Sequence, residues 1–280
     1  MAIPGAKSRP KLRILVIGAH PDDCEIKAGG TAALWSAAGH TVRFVSATNG
    51  ATGHHEIGGI ELVRRRMSEA AAAARVIGIE AHLMEVTNGE LEPTLACRKQ
   101  FIRLIREFRP DLILTHRPND YHPDHRYTAQ LVQDSAYVVT VPNNLPNIPA
   151  LRDNPSIGYF SDDFQKPCPF HPDLVVGIDA VVAKKVEMLH CHASQFYEWL
   201  PWNRRAEDQV PKGDHARRQW LRSTRICADA ACARKYRKQL VTGYGRKRGA
   251  KIQFAEAFEA CEYGAPWTPQ RMRELFPFFS

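Results

Sequence analysis

Apolar positions along this chain fall into short dense runs separated by segments of helical spacing. Runs of strand length occupy 12–18 (Leu-Arg-Ile-Leu-Val-Ile-Gly), 41–47, 81–86, 111–115 (Asp-Leu-Ile-Leu-Thr) and 174–178. Near-continuous Val, Ile and Leu of this kind marks strands buried on both faces. Between them, helices are expected from Lys27 to Ala38, Ile60 to Ile77, Thr94 to Phe108, about 124 to 139, and Ala180 to about Ala193. Gly39, Gly78 and Pro110 supply their stops, since glycine and proline end helices. Two stretches fit neither period: a Gly/His-rich loop at 49–59, and a Pro/Asn-rich excursion at 141–149 that reads as a wall of an active site.

This alternation predicts an α/β fold, with a Rossmann-like parallel sheet of about five strands and helices on both faces. It fades near residue 195. The chain is therefore expected to divide into a catalytic domain at 1–195 and a basic C-terminal helical extension at 196–280, packed on or beside it. No internal repeat is visible.

Composition narrows the picture. A chain of 280 residues with 44% apolar and 24% charged residues is an ordinary globular protein, neither disordered nor fibrous. No run has the length of a membrane span. Residues 1–10 are polar and Pro-containing, a loose arm without the apolar core of a secretion signal, so a cytoplasmic address is expected. Seven scattered cysteines, an odd number, point to reduced thiols. Cys227 and Cys232 form a close pair but lack a second pair, so free thiols are the expectation there too.

The net charge of +8 has a location. Residues 204–251 hold fifteen Lys/Arg against four Asp/Glu, and the rest of the chain holds 23 against 26. Such a segment attracts phosphate, nucleic acid or an acidic surface; a solvated helical face is the plainer reading.

The chemistry sits in two clusters, His20-Pro21-Asp22-Asp23 and His122-Pro123-Asp124-His125, each shortly after an apolar strand. In open parallel sheets, ligands bind outside the carboxyl ends of the strands. A catalytic zinc takes three His/Asp/Glu ligands and keeps one open position, and His20, Asp23 and His125 supply that set. Fe(II) and Co(II) can share it. Asp22, His122 and Asp124 then remain beside the metal. A carboxylate there can take a proton from water, and a protonated imidazole can stabilise an oxyanion. The residue types match metal-assisted hydrolysis of an amide or ester.

Plainer readings stand beside these. Asp22 and Asp23 can be helix N-caps. Cys24 is expected to pack, although a thiolate there could replace Asp23 on the metal. His54 and His55 read as exposed loop residues. His190 and His192 lie two apart on a helix and point to different sides. Gly29 and Gly30 fit close helix packing, since no G-x-G-x-x-G fingerprint is present.

At these residues the chain resembles the PIG-L/LmbE-like zinc N-deacetylases. The resemblance covers about 12–195 and rests on Gly18-Ala19-His20-Pro21-Asp22-Asp23 with Glu25 and Gly29-Gly30, on Arg66-Met67-Ser68-Glu69, on Asp120-Tyr121-His122-Pro123-Asp124-His125, and on Lys185 with His192-Ala193-Ser194-Gln195. It implies that His20, Asp23 and His125 bind zinc, that Asp22 is the general base, and that His122 is the electrophile or acid. It implies further that Asp124 tunes a neighbouring histidine and that Arg66 contacts substrate. Cys24 and the loop at 49–59 depart from the family pattern.

The expected function is removal of an N-acetyl or other N-acyl group from an amino sugar or its conjugate, the partner being a small N-acetylated sugar conjugate that can be anionic. The rivals are a metal-dependent esterase or phosphoesterase, and a binder of nucleic acid or acidic surfaces with an incidental metal site. Nucleic acid is the disfavoured partner; self-association stays open.

Overall fold

The computed structural model describes residues 11–279, so the arm expected at 1–10 lies outside the described residues. All five expected strands are present, as β1 (Arg13–Gly18), β2 (Thr41–Ser46), β3 (Glu80–Leu83), β4 (Leu112–Thr115) and β6 (Leu174–Gly177). Two more were not legible: β5 (Ser156–Phe160) and β7 (Ala255–Cys261). The seven strands form one sheet in the order β3-β2-β1-β4-β5-β7-β6. The first five in that order are parallel, while β7 runs antiparallel to both β5 and β6.

The expected C-terminal extension thus does not stay wholly beside the sheet. Its segment 255–261 is inserted between β5 and β6, because their facing edges would otherwise expose unpaired backbone. The remainder of that region is largely helical: α6 (Leu200–Asn203), α7 (Asp214–Thr224), α8 (Ile226–Lys235), α9 (Arg237–Gly249) and α10 (Pro269–Leu275). Earlier in the chain come α1 (Asp23–Ala37), α2 (Gly59–Val76), α3 (Leu95–Phe108), α4 (Pro123–Ser135) and α5 (Val182–Cys191).

Period-two alternation places successive strand residues on opposite faces. Ile14 and Val16 of β1 enter a core with Ala28, Ala32, Val182 and Val186 of α1 and α5, whereas Leu15 and Ile17 enter one with Phe101, Ile105, Leu131 and Val132 of α3 and α4. Both faces of the sheet are therefore covered, which explains the unbroken apolar runs. A smaller core joins β6 and β7 to α8 and α9 through Val175, Ala257, Ala233 and Leu240.

Some boundaries differ from the expected ones. Helix α1 begins at Asp23 rather than Lys27. The helix expected over about 124–139 stops at Ser135, and Val138–Thr140 is a separate 3-10 turn. The excursion at 141–149 does not wall the active site. Together with the preceding turn it wraps the buried guanidinium of Arg106, which donates to the carbonyls of Val138, Val139, Val141, Asn144, Leu145 and Ile148. A buried cation needs such acceptors, and a loop without regular structure has carbonyls to offer. Gly29 and Gly30 do serve close packing. A Cβ on Gly30 would lie 2.8 Å from Ile178, and one on Gly29 3.1 Å from Met188. No helix among the described residues is long and apolar enough to cross a membrane.

Candidate active site and metal centre

Strands β1 and β4 are neighbours at the point where the strand order reverses, so the loops leaving their carboxyl ends face each other. The loop after β1 is tight. A Cβ on Gly18 would fall 2.6 Å from that of Asp23, so only glycine lets the start of α1 fold back over the strand end. Asp23 Oδ2 accepts the amides of Ala19 and His20 at 3.0 and 2.7 Å. Between them, Asp22 sits at φ 128° and ψ −22°, a conformation that costs a non-glycine residue about 1–3 kcal/mol. It occupies the N-cap position of α1 but makes no side-chain cap bond, so its carboxylate is not spent on the helix end.

Three potential donor atoms from the two clusters converge. His20 Nδ1 and His125 Nε2 are 3.2 Å apart, and each lies 3.5 Å from Asp23 Oδ2. Bonds of about 2.0–2.1 Å to a tetrahedral metal require ligand separations of roughly 3.3–3.4 Å. The triangle has the spacing of ligands to a zinc-sized ion, and its members fall in two overlapping donor groups, His20 with His122 and His125, and Asp23 with His116 and His125. His116, immediately after β4 and not singled out by sequence, adds a fourth group. Its Nε2 lies 3.2 Å from Asp23 Oδ2, and its ring stacks on His125 at 4.0 Å.

Neighbouring carboxylates orient the imidazoles. His20 Nε2 lies 3.0 Å from Asp124 Oδ2, which also accepts the amide of Gly89 at 2.6 Å. With Nε2 turned to Asp124, Nδ1 is left for a metal. Asp120 Oδ1 sits 3.1 Å from His125 Nδ1, a close charge contact that leaves His125 Nε2 facing the triangle. Such outer partners set tautomer and ligand basicity.

Electrostatics follow from this packing. Burial disfavours charge on His20, but Asp124 and then Asp23 outweigh it and raise the imidazole to about 10. Burial likewise opposes ionisation of Asp23, yet His125 and His116 hold its carboxyl well below the ordinary range. Burial, and then the adjacent Asp23, push the Asp22 carboxyl up. His116 is driven down to about 4 by burial and by His125. His122 is lowered by burial and by His20. Its Nδ1 accepts the amide of Asp124 at 3.2 Å as the cap of α4, so a neutral ring carries its proton on Nε2.

A cavity of about 430 Å³ opens over these groups. Asp22, Asp23, His20, His122 and His125 line its floor, with Arg66, Tyr121, Gln195, Trp199, Arg204 and Arg225 among the walls. Arg66 is almost fully buried; its Nε has no partner and its Nη1 is 3.4 Å from Ser194 Oγ. Asp124 alone of the expected site residues does not reach the cavity, because it lies beneath His20.

The fourth motif supports the first. After α5 the chain opens into a π turn, Ser194–Trp199, and Gln195 Nε2 donates to Asp22 Oδ2 at 3.2 Å. Glu69 accepts from the amide and hydroxyl of Ser194, and buried His192 lies 3.0 Å from Glu25 Oε1. Lys185 bridges Asp229 and Glu256 at 2.9 and 2.8 Å, and Glu256 accepts the amides of Gly30 and Thr31. Sequence reading missed Asp229 and Glu256, whose acids carry no local signal.

Other sequence candidates fall outside the site. The Cys24 thiol points into the core at the carbonyls of Val16 and Val45, and burial raises it well above its ordinary value, so it cannot replace Asp23. His54 lies 2.9 Å from Glu198, and His55 stacks on Trp202; only Thr52 and Gly53 of that loop line the cavity. His190 turns to Tyr197 and His192 to Glu25, so they share no ligand. Cys227 and Cys232 are free thiols.

Comparison with known proteins agrees with this arrangement. Residues 15–136 match the PIG-L family, GlcNAc-PI de-N-acetylase. A diacetylchitobiose deacetylase from Thermococcus kodakarensis is 31% identical over 202 residues, 68% of this chain and 73% of that protein. A 4-oxalmesaconate hydratase from Pseudomonas putida is 24% identical over 75% of this chain and 83% of its own. The fold is shared with the N,N'-diacetylchitobiose deacetylase of Pyrococcus horikoshii, at a TM-score of 0.67 and 23% identity over 89% of this chain and 84% of that one. With its motif residues gathered around one cavity and a relative of this identity and coverage, the chain belongs to the PIG-L/LmbE-like deacetylase family.

Proposed function

We propose that the protein is a zinc-dependent hydrolase that removes an N-acetyl group from an amino sugar or its conjugate. The observation that carries this reading is the triangle of His20, Asp23 and His125 with the Asp22 carboxylate, held by Gln195, beside it on the same cavity floor. A metal held by those three residues would supply Lewis acidity, polarising the amide carbonyl and acidifying a water.

The chain's own groups do the rest. Asp22 takes the proton of the attacking water, and its buried, raised carboxyl suits a base that must later give that proton back. Gln195 and the fixed backbone at Asp22 aim the carboxylate. His122 offers an Nε2–H to the carbonyl oxygen as negative charge develops there, which its neutral ring can do without prior protonation. The proton on Asp22 passes to the leaving nitrogen, the C–N bond breaks, and acetate and a free amine result. Arg66 binds substrate from the cavity wall. His20, Asp23 and His125 are the proposed ligands, and Asp22, His122 and Asp124 the proposed catalytic and orienting groups.

A second reading has support in the Pseudomonas hydratase relative: a carboxylate base that deprotonates water can equally add it across a carbon–carbon double bond. The two are separated by incubating zinc-loaded protein with N-acetylglucosamine, diacetylchitobiose and their conjugates while following free amine, and with an unsaturated polycarboxylate while following loss of absorbance. Amine release supports the deacetylase; absorbance loss without amine release from any sugar overturns it. Release from simple esters or phosphoesters alone would move the assignment to that class.

A further inference from the structure

Two guanidiniums on the cavity wall make no ion pair among the described residues, although the charge of Asp22 on the same cavity is felt at Arg225. Arg204 follows the last turn of α6, and Arg225 sits at the junction of α7 and α8; both line the cavity that holds Asp22 and His122. Among the described residues neither forms an ion pair or a side-chain hydrogen bond, and Arg225 Nε is buried without a partner. The Arg225 guanidinium lies instead over the Phe196 ring, 5.2 Å from its centre. Three other arginines of the basic segment are engaged: Arg217 and Arg237 donate to the carbonyls of Pro211 and Gly249, and Arg218 to Glu187. Arg246 and Lys247, which the charge count alone made equal candidates, do not line this cavity.

Like charges facing one partly desolvated space repel, and the buried, unmet Nε–H of Arg225 adds a desolvation cost that Asp22 offsets only in part. Burial and then Arg204 lower the Arg225 guanidinium from its ordinary value, as that repulsion requires. Arginine forks match phosphate and carboxylate oxygens in pairs, so one bridging anion removes both costs. The two sites differ in depth: Asp23 and His125 are buried, whereas Arg204 is exposed at the rim. An acetamido group on the floor would leave the rest of the substrate extending toward the arginines.

We propose that Arg204 and Arg225 form a subsite for an anionic substituent, a phosphate monoester or a carboxylate, on the part of the substrate remote from the acetamido group; this rests on the deacetylase reading for its catalytic consequence. Trp199, stacked on Trp202, also lines the cavity and adds apolar surface to it.

The test compares kcat/KM for N-acetylglucosamine, N-acetylglucosamine 1-phosphate and N-acetylmuramic acid, with calorimetric binding of inorganic phosphate measured on the same preparations. One or both anionic sugars should be preferred by about tenfold or more at low salt, the scale of a charge-assisted pair. Phosphate-only preference assigns a phosphate, and carboxylate-only preference a carboxylate. In Arg204→Gln/Arg225→Gln the preference should collapse through KM and phosphate binding should weaken about tenfold, while Arg204→Lys/Arg225→Lys keeps part of both and Arg246→Gln keeps all. Unchanged phosphate binding in the Gln variant, or equal changes on neutral and anionic sugars, overturns the subsite. Phosphate binding that depends on both arginines, with no amine released from any sugar, upholds the subsite and overturns the deacetylase instead. Melting temperature and metal content identify a variant that has merely misfolded, in which case the Lys pair decides.

Discussion

His20 and Asp124, 104 residues apart, meet at 3.0 Å, and their contact turns one histidine nitrogen away from Asp23 and His125 so that the other faces them. Asp124 also anchors the amide of Gly89, so its carboxylate is held from two sides. Asp124→Ala should therefore lower metal affinity about 10–100-fold without removing a ligand, the usual effect of losing an outer partner. Competition with a chelator measures it, and Asp124→Asn should fall between. Wild-type affinity in the alanine variant would remove Asp124 from the metal centre.

Loss of a ligand has a larger effect than loss of its support. His20→Ala, Asp23→Ala and His125→Ala should each abolish stoichiometric zinc, read by elemental analysis of dialysed protein. If only one of them lost metal, the triangle would not be the ligand set. His116→Ala is informative beside them. Its Nε2 is 3.2 Å from Asp23, and retention of zinc would class it as a positioning residue.

Asp22 should separate binding from chemistry. Asp22→Asn is expected to keep its metal and lose about 10² to 10⁴ in kcat, the ordinary contribution of a placed general base. Gln195→Ala, which frees Asp22 Oδ2, should shift the acid limb of the kcat profile more than it lowers metal content. A Gln195 variant with an unaltered pH profile would leave that contact structural.

In metal-free protein the charge on His20 couples stability to pH. Its folded-state value, raised to about 10 by Asp124 and Asp23 against burial, exceeds the ordinary 6.5. Its contribution to stability is thus complete below pH 6.5 and is lost as pH climbs toward 10. Urea unfolding of apo wild type and His20→Gln should show a gap that narrows between pH 6 and 10. Zinc binding needs the neutral ring, so metal uptake should release protons and tighten with pH. A gap that widens with pH would contradict the Asp124 pairing.

Lys185 tests support without chemistry. Lys185→Met leaves Asp229 and Glu256 buried without their cation and should cost about 3–5 kcal/mol in urea unfolding, as breaking buried pairs does. Stability close to wild type would mean that these acids are met by other groups.

Local patterning carried a large share of this protein. The apolar runs at 12–18 and 111–115 were legible because strands buried on both faces are apolar at every position. The clusters around His20 and His125 were legible because each follows such a strand, and parallel topology brings strand ends together. Strand β7 was hidden because Ala-Glu-Ala-Phe-Glu-Ala-Cys carries Ala and Glu, good helix formers, and becomes a strand only between two waiting edges. β5 was hidden because Gly158, a poor strand former, sits at its centre and it follows an irregular excursion. Asp124 under His20, Gln195 on Asp22 and Glu256 on Lys185 are pairings across 104, 173 and 71 residues. Such contacts leave no periodicity in a sequence, because they depend on where folded elements come to rest. The charge count located a basic segment; only the packing of α6, α7 and α8 against the cavity decided that Arg204 and Arg225, and not Arg246, face it.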